Sequence, residues 1–298
     1  MCGGTGLLGK ALTQQLVRDG VQVVLLVRRP VRHPPHSEPG IVEVEWHPET
    51  PEHTIDLQPL EGCYAAVHLA GANVAGHRWT PAYKRLIVSS RIDTSRALGR
   101  IFSALAAPPP VVVAASAIGY YGDRGNELLT EASRPGTGFF PEVCQAWEAA
   151  TAVLAPRVVQ LRFGVVLTAR GGALPQVLRV FRLGLGGRLG TGRQWMSWIS
   201  LADAVAAMEF VIEQPHLSGA FNTTSPHPVT NAEFTYTLGR ILRRPAFFDV
   251  PSPVLRAALG EMAQDALLAS TRAIPERLDA AGFVFNDQLL EQAVSEMV

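Results

Sequence analysis

Three glycines near the start of the chain have the spacing of a phosphate-binding turn. Gly3, Gly6 and Gly9 form the pattern G-x-x-G-x-x-G, in which no side chain keeps the backbone amides from closing on an anion. Leucines recur at every fourth position from Leu8 to Leu16, which predicts a helix whose positive N-terminal end faces such an anion. The pattern alone is equally compatible with an ordinary turn, because turns use glycine anyway. The elements that follow must decide between the two.

Two arginines end the strand that follows this helix. Residues 21–27 are β-branched and nearly all apolar, as in parallel sheets covered on both faces, and Arg28 and Arg29 come next. In dinucleotide-binding folds this position contacts the adenine ribose, and an acidic residue there bonds the ribose hydroxyls. A guanidinium suits a 2′-phosphate instead, which favours NADP over NAD. The alternative is a pair of solvated arginines at the end of a strand.

A serine and two tyrosines follow another predicted strand. Residues 111–115 form an apolar strand, and Ser116, Tyr120 and Tyr121 come directly after it. A serine hydroxyl and a phenol at this edge would polarise a carbonyl group and move a proton. Ser116 and Tyr121 are therefore the candidate catalytic residues. The alternative is a tyrosine-rich loop that supports a second lobe.

Strand and helix patterns alternate through the first half of the chain. Apolar strand patterns occur at residues 21–27, 42–46, 64–71, 111–115 and 158–166, and helical patterns at 8–19, 80–107 and about 140–153. This alternation predicts an α/β fold with a Rossmann-like doubly wound parallel sheet. One predicted strand ends in small residues, at Leu69-Ala70-Gly71. They leave room either for the ribose of a cofactor or for a packed helix.

After about residue 168 the pattern changes. Glycines interrupt the chain, and short helices and strands no longer alternate strictly. We predict an NADP-binding domain over residues 1–167 and a smaller C-terminal α/β lobe over residues 168–298, interleaved with the first domain. This lobe would pack on the carboxyl edge of the sheet, where the ligands of such sheets bind.

Composition excludes several classes of function. The chain has 298 residues, 47% of them apolar, and 26 basic residues balance 26 acidic ones. No overall field therefore attracts nucleic acid or an anionic membrane. No apolar run approaches the roughly 20 residues of a membrane span, and nothing resembles a signal peptide. Cys2, Cys63 and Cys144 form no CxxC pair, which fits a reducing, cytoplasmic compartment. We expect a small-molecule substrate; the composition leaves a monomer and a homodimer equally open.

Several stretches together resemble the sugar-nucleotide epimerase family of the short-chain dehydrogenase/reductase superfamily, in its atypical extended branch. The most specific are Ser-Ala-Ile-Gly-Tyr-Tyr-Gly-Asp from residue 116 and Arg-Gln-Trp-Met-Ser-Trp-Ile from residue 193, and the matches span essentially the whole chain. The resemblance implies an NADP-binding Rossmann domain and a small C-terminal domain. The cofactor contacts that it implies are Gly3, Thr5, Gly6, Leu7, Leu8, Val27, Arg28, Leu69, Ala70, Arg91, Gly164 and Val165.

The helix after the serine strand departs from the family pattern. Active members of the superfamily carry Tyr-x-x-x-Lys there: the tyrosine donates a proton and the lysine lowers its pKa. Cys144 and Glu148 stand at these two positions. Because a glutamate raises the pKa of a neighbour where a lysine lowers it, the usual hydride-transfer machinery is not evident.

Two further departures concern single elements. The family usually has a histidine where this chain has Ser200, and we expect Ser200 and Asp203 to be helix N-capping residues. Met1-Cys2 leaves no room for the first strand of the sheet. We therefore expect that strand to be missing from the given chain and the natural start to lie upstream, since a gap in a sheet leaves backbone groups unsatisfied.

Other residue groups give weaker signals. His33-x-x-His36 lacks a third metal ligand nearby and is better interpreted as a proline-rich loop. Arginines in the glycine-rich stretch would contact a substrate phosphate or be solvated; they are Arg182, Arg188 and Arg193. Trp195 and Trp198 are predicted to pack between the lobes, with contact to a ligand as the alternative.

Two functions remain open from the sequence. The first is an NADP-dependent oxidoreductase or epimerase-like enzyme acting on a small carbonyl or nucleotide-sugar substrate. The second is a sensor or regulatory protein that binds NADP with little or no turnover. Cys144 and Glu148 favour the second function, and the serine–tyrosine loop with the full second lobe favours the first.

Overall fold

Helices and strands alternate in the computed structural model, which describes residues 1–31, 39–50 and 55–298. Its helices are α1 (Leu7–Arg18), α2 (Pro81–Ala104), α3 (Phe139–Thr151), α4 (Leu174–Arg182), α5 (Leu201–Glu213), α6 (Asn231–Leu242), α7 (Ser252–Leu259), α8 (Glu276–Ala280) and α9 (Leu290–Met297). Its strands are β1 (Val23–Val27), β2 (Ile41–Glu45), β3 (Ala66–His68), β4 (Val111–Ala117), β5 (Leu128–Leu129), β6 (Arg157–Phe163), β7 (Val165–Leu167), β8 (Trp195–Met196), β9 (Trp198–Ser200), β10 (Gly219–Thr223), β11 (Val229–Thr230) and β12 (Arg272–Ala273). His33 and His36 lie outside the described residues.

One parallel sheet organises the fold. β1 pairs with β2, and β3, β4, β6 and β10 pair in that order. Met1 and Cys2 lie between β1 and β3: the amide of Cys2 donates to the Val67 oxygen at 2.8 Å, and the amide of Leu26 donates to the Met1 oxygen at 2.9 Å. These two residues thus pair with both neighbours at the place where a central strand was expected. The prediction of a Rossmann-like doubly wound sheet is confirmed.

The alternation of side chains along β4 builds a core on each face of the sheet. Val113 packs with Leu12 of α1 and Met208 of α5 on one face. Val112 packs with Leu98 of α2 on the other face. Because both faces are covered, nearly every residue of β4 is buried, as the apolar run of the sequence indicated.

Thr80 and Ser200 cap their helices with their side chains, and one predicted cap is wrong. The Thr80 side chain accepts a hydrogen bond from the Tyr83 amide, and the Ser200 side chain accepts one from the Asp203 amide at 3.1 Å. Asp203 was also expected to be a cap. Its carboxylate is instead fully buried and accepts the amides of Asn286 and Asp287, so it fixes the C-terminal segment against α5.

The strand predicted over residues 158–166 is two strands, because Gly164 interrupts the strand between β6 and β7. A Cβ atom there would lie 2.6 Å from the Ser197 carbonyl oxygen, so only glycine permits this approach. β6 stays in the main sheet and β7 pairs with β9 instead. Val153 was assigned to the preceding helix, but α3 ends at Thr151 and Val153 is 83% exposed.

The second half of the chain contributes to both parts of the fold. β10 completes the main sheet, while a separate apolar core contains Leu174, Phe181, Trp198 and Leu238. The division at residue 167 stays a prediction, with β10 as an element shared across it. Over the part of the chain that the structure describes, no helix combines the length and the apolarity needed to cross a bilayer.

Candidate functional site

The glycine turn leads directly into α1 and leaves its first amides available. Gly6 is the N-cap residue, and no side chain caps the helix. The first amides of an α-helix, here including those of Leu7 and Leu8, have no acceptor within the helix. No acidic residue lies in the first turn, so the helix end keeps its positive potential. This arrangement suits an anion such as a pyrophosphate.

The three glycines of the turn serve different purposes. Gly3 has φ +85°, and a Cβ atom there would lie 2.6 Å from the Leu69 carbonyl carbon. A Cβ atom at Gly9 would lie 2.3 Å from the Gly3 oxygen. At Gly6 the nearest atom would be at 3.4 Å, which is an ordinary contact. The fold therefore needs glycine at positions 3 and 9, whereas Gly6 is exposed at the surface.

The two arginines after β1 differ in their partners. Arg29 donates to both carboxylate oxygens of Glu43 at 2.6 Å. Arg28 follows the buried Val27 and is exposed, and no carboxylate among the described residues pairs with it. Of the two guanidiniums, that of Arg28 is therefore free to bind a phosphate.

Arg91 places a buried positive charge beside the end of β3. Its Nη1 donates to the Ile87 oxygen at 3.0 Å and its Nη2 to the Ala72 oxygen at 3.2 Å. Its Nε has no hydrogen-bond partner in the described structure. A Cβ atom at Gly71 would lie 3.1 Å from the guanidinium carbon. Burial lowers the pKa of Arg91, as expected of a cation that lacks a carboxylate partner.

Two more buried nitrogen atoms without partners lie next to Arg91. His68 contacts Ser95 through Nε2 at 3.0 Å, whereas its Nδ1 and the Trp147 Nε1 have no partner in the part of the chain that is described. The Arg91 guanidinium lies 4.8 Å from the Trp147 ring centroid. Burial, and then the charge of Arg91, lowers the pKa of His68 to about 4.

Ser116 is hydrogen-bonded to Glu148, the glutamate that stands where the superfamily resemblance implies a lysine. The Ser116 hydroxyl donates to Glu148 Oε1 at 2.7 Å. Arg162 of β6 donates from Nε to Oε1 at 2.7 Å and from Nη2 to Oε2 at 2.8 Å. Burial by itself would lower the pKa of Arg162, but Glu148 and Tyr121 raise it above its usual value. A bidentate ion pair thus fixes the carboxylate that binds the serine.

The two tyrosines both contact the Arg162 guanidinium but differ in how deeply they are buried. Tyr121 is fully buried; its hydroxyl donates to Asn222 Oδ1 at 2.7 Å and accepts from Arg162 Nη1 at 2.9 Å. Burial raises the pKa of Tyr121 to about 12. Tyr120 is only half-buried, and its ring centroid lies 3.5 Å from the guanidinium carbon.

Cys144 of α3 stands where the superfamily resemblance implies a tyrosine. Its thiol is 1% exposed, and burial, together with the Glu148 carboxylate, raises its pKa to about 12. A thiol with such a pKa is a poor nucleophile and a poor acid at neutral pH. Among the described residues, no group of His, Cys, Asp and Glu side chains could hold a metal ion.

The remaining predicted cofactor residues lie around the same sheet edge. Gly3 packs directly on Leu69 and Ala70, and Thr5 is exposed in the turn. The amide of Gly164 donates to the Thr223 oxygen at 3.1 Å, and the amide of Val165 donates to the Ser197 oxygen at 2.9 Å. Because both amides have acceptors within the protein, these two residues can offer a ligand only carbonyl oxygens or van der Waals contact.

The arginines and tryptophans of the second lobe have separate environments. Arg188 pairs with Asp249, whereas Arg182 and Arg193 are exposed. Trp198 is fully buried in the core of the second lobe. Trp195 donates to Asn126 Oδ1 at 3.0 Å, and the Arg272 guanidinium lies 4.2 Å from its ring centroid.

Sequence reasoning did not identify Arg162 or Asn222 as parts of this network. A signal for Arg162 was present, because a charged residue inside the apolar strand over residues 158–166 requires a buried partner. Asn222 gave no comparable signal, since a single asparagine near a strand is ordinary.

A doubly wound parallel sheet with a glycine turn at its carboxyl edge, next to a central position of the sheet, defines an NAD(P)-binding fold of the epimerase type. The chain belongs to the NAD dependent epimerase/dehydratase family, whose model matches residues 1–223. A second model, described as a domain of unknown function (DUF1731), matches residues 250–297. The family resemblance predicted from the sequence is therefore confirmed.

Relatives match over nearly the whole chain. Epimerase family protein Mb2239 of Mycobacterium bovis is 43% identical over 299 residues, which cover 99% of this chain and 95% of that protein. Human epimerase family protein SDR39U1 is 35% identical, covering 99% of this chain and 98% of that protein. A crystal structure of the human protein (isoform 2) with NADPH aligns with a TM-score of 0.86 and 32% identity, covering 99% and 97% of the two chains.

Proposed function

We propose that this protein binds NADP and acts as an oxidoreductase or epimerase-like enzyme on a carbonyl or nucleotide-sugar substrate. The observation that carries the proposal is the Ser116–Glu148 hydrogen bond of 2.7 Å, at the same sheet edge as the glycine turn. The NADPH in the structure of the human relative supports the choice of cofactor. Three free cysteines support a reducing, cytoplasmic location.

The residues around the turn fit a phosphorylated dinucleotide. The uncapped amides at the start of α1 would hold the pyrophosphate. The guanidinium of Arg28, which pairs with no carboxylate in the described part of the chain, would hold the 2′-phosphate. Arg91, whose buried Nε has no partner among the described residues, would add a positive charge near the end of β3. When bound, NADP supplies the acceptor or donor of a hydride.

Ser116 and Glu148 would handle the proton of the same reaction. Because the Ser116 hydrogen points to Glu148, the serine oxygen is left as an acceptor for a substrate hydroxyl. In the oxidation direction the substrate O–H bond breaks, its proton passes to Ser116, and the original serine proton passes to Glu148. The C–H bond of the carbon that bears this oxygen also breaks, its hydride would pass to bound NADP⁺, and a carbonyl forms. Reduction reverses each transfer.

Tyr121 is the competing assignment for the proton. Its full burial and its bonds to Asn222 and Arg162 support a positioning role, in which it orients the guanidinium that fixes Glu148. A phenol whose pKa is raised to about 12 is also poorly matched to proton transfer near neutral pH. We therefore assign the proton to Ser116 and Glu148.

Binding of NADP without turnover is the second candidate function. Cys144 is buried where the superfamily resemblance implies a tyrosine, and the carboxylate of Glu148 accepts two hydrogen bonds from Arg162. A site whose polar groups bind one another has few groups left for a substrate. Such a site suits a sensor whose conformation changes when NADP binds.

Assays of NADPH oxidation with a panel of carbonyl compounds and nucleotide sugars test the proposal. We expect turnover of at least one compound, and Ser116→Ala and Glu148→Gln should each lower kcat by about 10²–10⁴-fold. Tyr121→Phe should lower it less, and the exposed Ser103→Ala serves as the control. Tight NADPH binding without turnover of any compound would favour the sensor, and full activity in S116A would refute the assigned role of the serine.

A further inference from the structure

A second concave site lies on the C-terminal lobe, between α6 and the chain that follows it. This pocket has a volume of about 580 Å³. We call it the arginine pocket, and it is lined by Arg188, Ala232, Thr235, Tyr236, Gly239, Arg240, Arg243, Arg244, Ala246 and Phe247. It contains no residue of the predicted dinucleotide site.

Small residues and an unusual backbone turn shape the pocket. A Cβ atom at Gly239 would lie 3.0 Å from the Ala246 Cβ and 3.1 Å from the Arg244 oxygen, so glycine lets the following chain fold back closely. Arg243 ends α6 with φ 52°, the one described residue other than glycine with positive φ. Such a backbone costs about 1 kcal/mol for a residue with a side chain. Arg243 and Arg244 both line the pocket.

The lining is strongly positive although the chain as a whole is neutral. Four arginines line the pocket and no acidic residue does. Arg188 pairs with Asp249 and Arg240 pairs with Glu291. Arg243 and Arg244 are exposed and have no carboxylate partner among the described residues. Two arginines without a carboxylate partner among the described residues thus line the same concavity, and such a pair suits a phosphate group.

Two aromatic rings line the same concavity and remain exposed. Tyr236 is 70% exposed and Phe247 is 68% exposed. Rings of this size normally bury most of their surface, and exposed apolar groups rimmed by polar ones indicate binding sites. Aromatic faces stack on planar rings, while the neighbouring arginines neutralise an attached phosphate.

We propose that the arginine pocket binds a mononucleotide, that is, a phosphate ester joined to a planar aromatic base. Arg243 and Arg244 bind the phosphate, and Tyr236 and Phe247 contact the base. The site is separate from the dinucleotide turn, so it adds a second ligand to the protein and does not depend on the proposed reaction.

Equilibrium dialysis with ADP and UDP, in saturating NADPH, tests this proposal. We expect binding of the nucleotides, with adenosine and inorganic phosphate each at least about tenfold weaker, because each lacks one half of the recognised group. An Arg243→Asn/Arg244→Ala variant should lose at least about tenfold in nucleotide affinity, since each charged hydrogen bond contributes about 1.5–3 kcal/mol. Tyr236→Ala should weaken ADP binding but leave phosphate binding unchanged.

Exposed Arg100 on α2 provides the matched control, and Arg100→Ala should bind nucleotide as the unmodified protein does. Asparagine is chosen at position 243 because it tolerates a left-handed backbone better than alanine. Thermal unfolding of each variant shows whether the fold is intact. Three results would overturn the proposal: no nucleotide binding, inorganic phosphate binding as tightly as ADP, or loss of ADP binding when NADPH is added, which would place ADP in the dinucleotide site.

Discussion

The glycine turn and the Ser116 network lie at the same edge of one sheet, yet their polar groups are satisfied in opposite ways. Around the turn, helix amides lack acceptors, Arg28 lacks a carboxylate, and the Arg91 Nε has no partner among the described residues. Around Ser116, hydrogen bonds join Glu148, Arg162 and Tyr121 into one chain. Groups without a partner in the protein are available to a ligand, whereas groups that bind each other also stabilise the fold.

This difference predicts which property, ligand affinity or stability of the fold, a substitution in each region changes. Substitutions at the turn should remove cofactor affinity and leave the fold largely intact, provided that they introduce no clash. Substitutions in the Ser116 network should lower the free energy of unfolding in addition to their effect on turnover. Four predictions test this division, in order of expected effect.

The largest effect is expected where a side chain would fill the turn. Gly9→Ala places a Cβ atom 2.3 Å from the Gly3 oxygen and should abolish NADPH binding and destabilise the fold. Gly6→Ala introduces only a 3.4 Å contact. It should leave the melting temperature nearly unchanged while lowering NADPH affinity about 100-fold or more, or about 2.7 kcal/mol. Fluorescence titration and thermal unfolding measure the two effects. Unchanged NADPH affinity in G6A would show that this surface does not face the cofactor.

The second effect concerns the buried ion pair. The side chains of Arg162 and Glu148 are 5% and 11% exposed. Arg162→Met leaves the carboxylate without its cation and should lower the free energy of unfolding by about 3–5 kcal/mol. The double variant R162M/E148M should lose less than the sum of the single changes, because neither charge is then left alone. Urea unfolding measures all three, and additive losses would contradict coupling of the pair.

The third effect is a dependence of stability on pH at His68, which lies beside Arg91. Its pKa is lowered from 6.5 to about 4 in the folded protein. Between these values the unfolded chain binds a proton and the folded one does not. The stabilisation is therefore complete above pH 6.5 and decreases as the pH falls to 4, by up to about 3 kcal/mol.

His68→Gln should remove this part of the acid destabilisation, whereas His216→Gln at an exposed histidine should not. Urea unfolding from pH 7 to 4 measures both variants against the unmodified protein. Parallel curves for H68Q and the unmodified protein would mean that His68 does not carry the effect.

The elements around the turn could be predicted from sequence because each depends on neighbours in the chain. Glycine spacing, the apolar run before Arg28 and the Thr80 cap are local patterns, and the structure contains each of them. The NAD(P)-binding fold followed from their order.

The Ser116 network could not be predicted in the same way, because its members come from distant positions. Glu148, Arg162 and Asn222 meet Ser116 and Tyr121 only through the pairing of β4, β6 and β10. The break at Gly164 likewise depends on the Ser197 carbonyl of another element. No local pattern contains such contacts, although a charge inside an apolar strand signals that a partner exists.

The smallest of the four effects distinguishes the two arginines after β1. Arg28→Ala should weaken NADP binding by about 10–100-fold, which corresponds to one or two charge-assisted hydrogen bonds, and should change NAD binding little. Arg29→Ala is the matched control: its guanidinium already binds Glu43 at 2.6 Å, so NADP affinity should fall far less. Titration of both variants with NADP and with NAD shows whether Arg28 recognises the 2′-phosphate. Equal weakening of NADP and NAD in R28A would remove the 2′-phosphate from the argument and leave Arg28 as a general contributor of positive charge at the open side of the site.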